Sequence, residues 1–169
     1  GVDGILFTGS KEVGFDIYRK FSAQYPKPCI TEMGGKNPAI IMPSADLDAA
    51  SEGVMKSAFG LQGQKCSACS RVYVHKSVAR EFTDRLVEWT GKIAIGDPVR
   101  KENWLGPVVN KRAYEQYAEF VALAKRDGRI LAGGEPMKGE PYQHGWFVRP
   151  TVVGGLPKVR IWPYEYKAG

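Results

Sequence analysis

Short apolar runs alternate with long amphipathic stretches along this chain, and that alternation admits few folds. Gly4-Ile5-Leu6-Phe7 reads as a short buried strand. Thr8-Gly9-Ser10 turns into a helix that Ser10 caps, with Val13, Ile17 and Phe21 on one face. Pro26 and Pro28 end that helix. Pro38-Ala39-Ile40-Ile41-Met42 is the next strand. Asp46 then caps a helix whose stripe runs through Leu47, Ala50, Val54, Ala58 and Leu61. After the strand pattern Val72-Tyr73-Val74, Ser77 caps a helix with Val78, Phe82, Leu86, Trp89 and Ile93 inward. Asn110 caps another, with Ala113, Tyr117, Phe120, Val121 and Ala124 inward and Gly128 at its C-cap. Arg129-Ile130-Leu131-Ala132 reads as a short strand, and Trp146, Phe147 and Val152-Val153 suggest one more. Strands interleaved with helices predict an α/β layer.

At 169 residues the chain has the length of one ordinary domain. A hydrophobic content of 43% with 25% charge fits a globular chain. No run approaches the roughly 18 apolar residues of a membrane span, and no signal peptide is visible. The net charge of +6 is spread along the helical patterns, and no recognition motif for nucleic acid accompanies it. An odd count of three cysteines points to a reducing compartment. A cytoplasmic setting is expected, or the mitochondrial matrix in a eukaryote.

Chemistry concentrates in Gln62-Gly63-Gln64-Lys65-Cys66-Ser67-Ala68-Cys69-Ser70-Arg71, between a helical pattern that ends at Gly60 and a strand pattern. Loops carry chemistry while scaffolds hold it still. A cation beside a thiol favours the nucleophilic thiolate. Cys66 and Cys69 admit three readings: a redox or metal pair, two small core residues, or a nucleophile with a base elsewhere. A metal site normally needs four ligands, and the chain offers Cys29, Cys66, Cys69, His75 and His144 with no second paired spacing. A redox pair belongs at a helix start, whereas this one follows a helix.

Glu32 is the candidate base. It ends a short apolar run ahead of Gly34-Gly35, where a close backbone or ligand approach is possible. Partial burial there would suit it to general-base work; the plainer alternative is a surface carboxylate on a turn. Thr8-Gly9-Ser10, a strand-to-helix turn, presents backbone N–H groups to an anion or polar cofactor, or is simply an N-cap.

Phe7-Thr8-Gly9-Ser10, Glu32-Met33-Gly34-Gly35-Lys36 and Gly63-Gln64-Lys65-Cys66, in this order and at these separations, resemble the signatures of the NAD(P)-dependent aldehyde dehydrogenase family. Leu105-Gly106-Pro107-Val108 and Arg149-Pro150-Thr151-Val152 add weaker support. Lys65 before the cysteine and Ser67 after it look most like the 1-pyrroline-5-carboxylate (glutamate semialdehyde) dehydrogenase branch.

The resemblance implies a three-layer α/β catalytic domain, partial here, with a remnant of a Rossmann-like cofactor domain. Residues 1–31 would be that remnant and 32–169 the partial catalytic domain. Cys66 would be the nucleophile and Glu32 the base. Gly9, Ser10, Met33 and Gly34 would lie on the cofactor side, with NAD or NADP as cofactor and no metal. Lys65 would bias the site towards an anionic substrate, and Ser67 would hold the substrate carboxylate. Cys69 would be structural. The expected partners are a small aldehyde and further copies of the chain through uncovered faces, with neither nucleic acid nor membrane.

Two departures accompany the resemblance. The family's second oxyanion donor, an Asn, would fall upstream of Gly1. After Pro157 the family continues into a Glu-Glu-Ile-Phe-Gly-Pro segment, where this chain reads Lys158-Val159-Arg160-Ile161-Trp162-Pro163. Both predict a truncated chain with little dehydrogenase turnover by itself, retaining hydrolysis of activated esters. Other aldehyde dehydrogenase branches acting on a non-carboxylate aldehyde, and a non-catalytic interaction module, are the alternative readings.

Overall fold

The computed structural model describes residues 1–157, so the departure at Lys158 lies outside the described residues. The first strand, β1 (Ile5–Gly9), leads into helix α1 (Lys11–Phe21), and β2 (Cys29–Met33) returns parallel to β1. Ser10 caps α1 as expected, its hydroxyl accepting from the Val13 N–H at 3.3 Å. The expected face is rotated, however. Gly14 is the buried position and Val13 is exposed, because the close approach of Met33 fixes which side of α1 meets the sheet. A Cβ at Gly14 would lie 2.7 Å from Met33 Sδ, so a larger residue there would have to push the Met33 thioether aside.

Strand β3 (Asn37–Ile41) pairs parallel with β4 (Cys69–Val74), and α2 (Leu47–Phe59) connects them through a tight turn at 60–63. The register slips between Asn37 and Pro38, where proline has no N–H for the ladder. Asp46 caps α2 as expected, accepting from the N–H groups of Asp48 and Ala49 at 3.0 and 3.1 Å. The stripe of α2 stops short of Leu61, which is exposed beyond the helix end.

Helix α3 (Ala79–Gly91) packs against α2. Its N-cap is Val78, without a side-chain bond, and not Ser77. The Ser77 hydroxyl is engaged by His75 Nδ1 at 2.9 Å, which removes it from capping. Ile41, Val54, Met55, Phe82 and Leu86 form the core where β3, α2 and α3 meet. Phe82 is its most buried large side chain, and replacing such a residue by alanine costs about 3–5 kcal/mol.

Helix α4 (Lys111–Asp127), capped by Asn110 at 2.9 Å, is followed by β5 (Arg129–Ala132). Strand β6 (Val152–Gly154) pairs antiparallel with β5. Trp146 and Phe147 do not join it; Trp146 meets Tyr114 at a tilt and Phe147 meets Tyr142 edge-on, each pair with centroids 5.4 Å apart. Charge lies on solvated helix faces in i,i+4 pairs such as Lys20–Asp16 and Lys92–Glu88. No helix among the described residues is long and apolar enough to cross a membrane.

Candidate active site

The site begins with an unusual helix exit. Beyond α2, Leu61 and Gln62 both take left-handed backbone (φ 52° and 57°), and Gly63 follows at φ 70°. Left-handed backbone costs a side-chain-bearing residue roughly 1–2 kcal/mol, so something must hold it. Two glutamines do so. Gln64 Oε1 accepts from the Val109 N–H at 3.1 Å. Gln62, in the orientation that satisfies both ends of its amide, accepts from the Gly106 N–H at 3.0 Å and donates to the Leu61 carbonyl at 3.1 Å. The segment 106–109 is thus the buttress of this exit.

The reversal delivers a β-turn over Lys65–Ala68, closed by the Ala68 N–H donating to the Lys65 carbonyl at 3.2 Å. Cys66 and Ser67 occupy its two central corners, and both are exposed. This excludes the reading of Cys66 as a buried core residue. Cys69, one step into β4, is half-buried; its thiol donates to the Arg71 carbonyl at 3.3 Å, and burial pushes that thiol up. All three cysteines are free. The Lys65 ammonium lies beside Gly60 at the carboxyl end of α2, where the helix dipole favours a cation.

Glu32 arrives from the other side, on β2. Strand alternation puts Cys29, Thr31 and Met33 towards α1 and leaves Ile30 and Glu32 on the open face. The carboxylate is therefore exposed and not partly buried as expected. Gly34-Gly35-Lys36 then carries the chain directly past the cysteine turn. A Cβ on Gly35 would stand 3.4 Å from the Cys66 carbonyl oxygen and 3.2 Å from Asn37 Oδ1. The Glu32 Cα lies within about 11 Å of the Gly35 Cα, the most that three residues of chain can span. Asn37 ties the two segments together, its amide donating to the Cys66 carbonyl at 2.6 Å and the Ala68 carbonyl at 3.3 Å. Beside it, Lys36 is pushed below the usual lysine range, first by burial and then by the neighbouring Arg71 guanidinium.

The remaining sequence-predicted residues also gather. Gly9 registers with Met33 across β1 and β2, so Gly9, Ser10, Met33 and Gly34 share the carboxyl edge of this parallel pair, at the start of α1. Open α/β sheets bind ligands at that edge. The Met33 side chain is turned into α1, which leaves its backbone to face the edge, and nothing stands within 4 Å of a Cβ built on Gly34. The edge is open at Gly34, where a flat cofactor ring could approach the backbone closely, whereas the Phe7 ring lies against Gly9. Asn37, Gln62 and Gln64 are the positions that sequence reasoning left without a role. The one available signal was Asn37 before Pro38, a pairing that keeps Asn37 extended and so fixes it at a strand start.

The sequence profile of the aldehyde dehydrogenase family matches residues 1–166. The chain belongs to the aldehyde dehydrogenase family. It is 41% identical over 157 residues to the 1-pyrroline-5-carboxylate dehydrogenase of Bacillus cytotoxicus, a match covering 90% of this chain and 30% of the relative. It is 42% identical over 166 residues to the chloroplastic betaine aldehyde dehydrogenase of Amaranthus hypochondriacus, covering 97% and 32%. The crystal structure of a Thermus 1-pyrroline-5-carboxylate dehydrogenase with bound NAD superposes with a TM-score of 0.82 at 34% identity, over 92% of this chain and 30% of that one. The chain thus spans about a third of the length of these relatives, and its strands and helices are part of the aldehyde dehydrogenase α/β fold.

Proposed function

We propose that this chain carries the nucleophile and the base of an NAD(P)-dependent aldehyde dehydrogenase that oxidises glutamate semialdehyde to glutamate. The juxtaposition of the exposed Cys66 turn with the exit of the Glu32 strand, tied through Asn37, supports this reading most directly. Residues 1–31 belong to the cofactor side and residues 32–169 to the catalytic side in this account.

The Cys66 thiolate adds to the aldehyde carbon and forms a thiohemiacetal on its sulfur. The Cys66 N–H is one donor to the oxyanion that results. Bound NAD(P)+ would supply the hydride acceptor, and loss of hydride from the thiohemiacetal carbon would leave a thioester on Cys66. Glu32 then takes a proton from water, and the hydroxide displaces the sulfur, releasing the carboxylic acid and the thiol. Dividing oxidation from hydrolysis in this way is what covalent catalysis contributes. Gly9, Ser10, Met33 and Gly34 would hold the nicotinamide against the carboxyl edge of β1 and β2. The Ser67 hydroxyl and the Lys65 cation would recognise the substrate carboxylate.

The kinship with betaine aldehyde dehydrogenase at 42% identity favours one second reading, a neutral or cationic aldehyde in place of an acidic one. Protection of Cys66 from iodoacetamide, mapped by mass spectrometry, separates the two. Glutamate semialdehyde should protect Cys66 at lower concentration than betaine aldehyde, and Ser67→Ala should erase the difference. Equal protection by both, or better protection by betaine aldehyde, overturns the carboxylate reading.

A further inference from the structure

We infer that Asn37 is a positioning residue, which sets the Cys66 turn against Glu32 for hydrolysis of the thioester. The inference rests on the roles just given to Cys66 and Glu32. One amide nitrogen donates to two carbonyls, Cys66 at 2.6 Å and Ala68 at 3.3 Å, and these two carbonyls bracket Ser67. A β-turn whose central residues are exposed can flip the peptide between them. Here that peptide is Cys66–Ser67, and flipping it would redirect both the thiol and the Ser67 hydroxyl. The bond to the Cys66 carbonyl opposes this flip.

The clamp itself stands on a rigid base. Asn37 opens β3, and its backbone registers with Cys69 of β4. It also follows Glu32 through only Met33, Gly34, Gly35 and Lys36. Gly35 packs so closely against Asn37 and the Cys66 carbonyl that a Cβ there would meet both at 3.2–3.4 Å. The segment that leaves the base's strand and the turn that carries the nucleophile therefore come together beside this amide. A donor to backbone carbonyls adds nothing to thiol nucleophilicity as such; it fixes where the thioester sits relative to the base.

Asn37→Asp keeps the shape and removes the donors. The probe is p-nitrophenyl acetate on the 169-residue chain, with amide hydrogen exchange of the 62–70 segment, iodoacetamide alkylation of Cys66 and the thermal unfolding midpoint read in parallel. Exchange at Ala68, whose N–H closes the turn, should accelerate at least about tenfold while Cys66 alkylation stays within about threefold. Hydrolysis of acetyl-Cys66 should slow by about 10–100-fold, as a small misplacement of reacting groups does. In a Glu32→Gln background the same substitution should slow hydrolysis no further, because the two residues act in one step. Asn37→Ser, which loses reach without adding charge, should repeat the pattern. Hydrolysis at the wild-type rate in both variants overturns the inference. So does a loss additive with Glu32→Gln, or an equal slowing of alkylation and hydrolysis with a fall in unfolding midpoint, which marks a merely structural clamp. Failure of the underlying reading looks different: the unsubstituted chain then forms no acetyl-Cys66, and this inference falls with it.

Discussion

Tyr117 on α4 collects more polar contacts than any position of the candidate site. Its hydroxyl donates to the Arg149 carbonyl at 2.9 Å, lies 2.9 Å from Thr151 Oγ1 and 3.2 Å from the Glu135 carbonyl. Burial, the largest cause, pushes this phenol above its ordinary range. Tyr117→Phe should cost about 1–2 kcal/mol in denaturant unfolding, the worth of a lost hydrogen bond plus a stranded partner. A phenol raised in the fold contributes stability that is complete below its unfolded value of about 10 and is lost as pH rises through the higher folded value. Unfolding free energy should therefore fall more steeply above pH 10 in the parent chain than in Tyr117→Phe; equal alkaline slopes would contradict this. The sequence exposes Tyr117 only as an inward helix position, since its partners sit 18 to 34 residues away on a loop with no periodicity. Cys66 and Glu32 stand out by residue type and by their glycine-rich and cationic neighbours. Asn37 does not, because its partners are backbone carbonyls 29 and 31 residues downstream, invisible to residue identity. Glu32 misleads in burial for a related reason: which face of β2 is covered depends on α1, not on its own neighbours.

Among the elements, the run Leu61-Gln62-Gly63 is the most constrained. Three successive left-handed residues reverse the chain within a single turn, held by the glutamine bonds to Gly106 and Val109 and by the Gln64 N–H donating to the Leu61 carbonyl at 3.0 Å. Leu61 is 67% exposed, so its side chain gives little packing in return for its backbone strain. Leu61→Gly should raise stability by up to about 1 kcal/mol, relief of the left-handed penalty less the extra unfolded-state entropy of glycine. Loss of stability in chemical denaturation would show that Leu61 contributes through contacts. Helix extents were legible because caps are local: Ser10, Asp46 and Asn110 each bond to their own first turn. Ser77 fails as a cap because His75 competes for its hydroxyl, a contact that capping rules do not weigh. The antiparallel β5–β6 pair joins segments far apart in sequence, and Trp146 and Phe147 instead meet the Tyr114 and Tyr142 rings; periodicity encodes neither.

At the scale of the whole molecule, the described strands form three two-stranded sheets, and the β1–β2 and β3–β4 sheets each leave apolar residues uncovered. Leu6 and Ile30 register across β1 and β2 at 74% and 57% exposure, and Ile40 and Tyr73 across β3 and β4 at 68% and 55%. Apolar surface of this kind favours association. Sedimentation of the chain should show a mass that climbs with concentration above the 18.7 kDa monomer, and Ile40→Lys with Tyr73→Lys should suppress the climb. A concentration-independent monomer would show that these faces do not pair. The central claim, that one exposed thiol and one strand-borne carboxylate divide a covalent reaction between them, is tested most directly by p-nitrophenyl acetate with mass mapping. Acetyl should appear on Cys66 ahead of Cys29 and Cys69 and vanish in Cys66→Ala. In Glu32→Gln it should form at the normal rate and then persist at least tenfold longer. Acetyl on Cys69 or Cys29 first, or equally fast release in Glu32→Gln, would contradict the account.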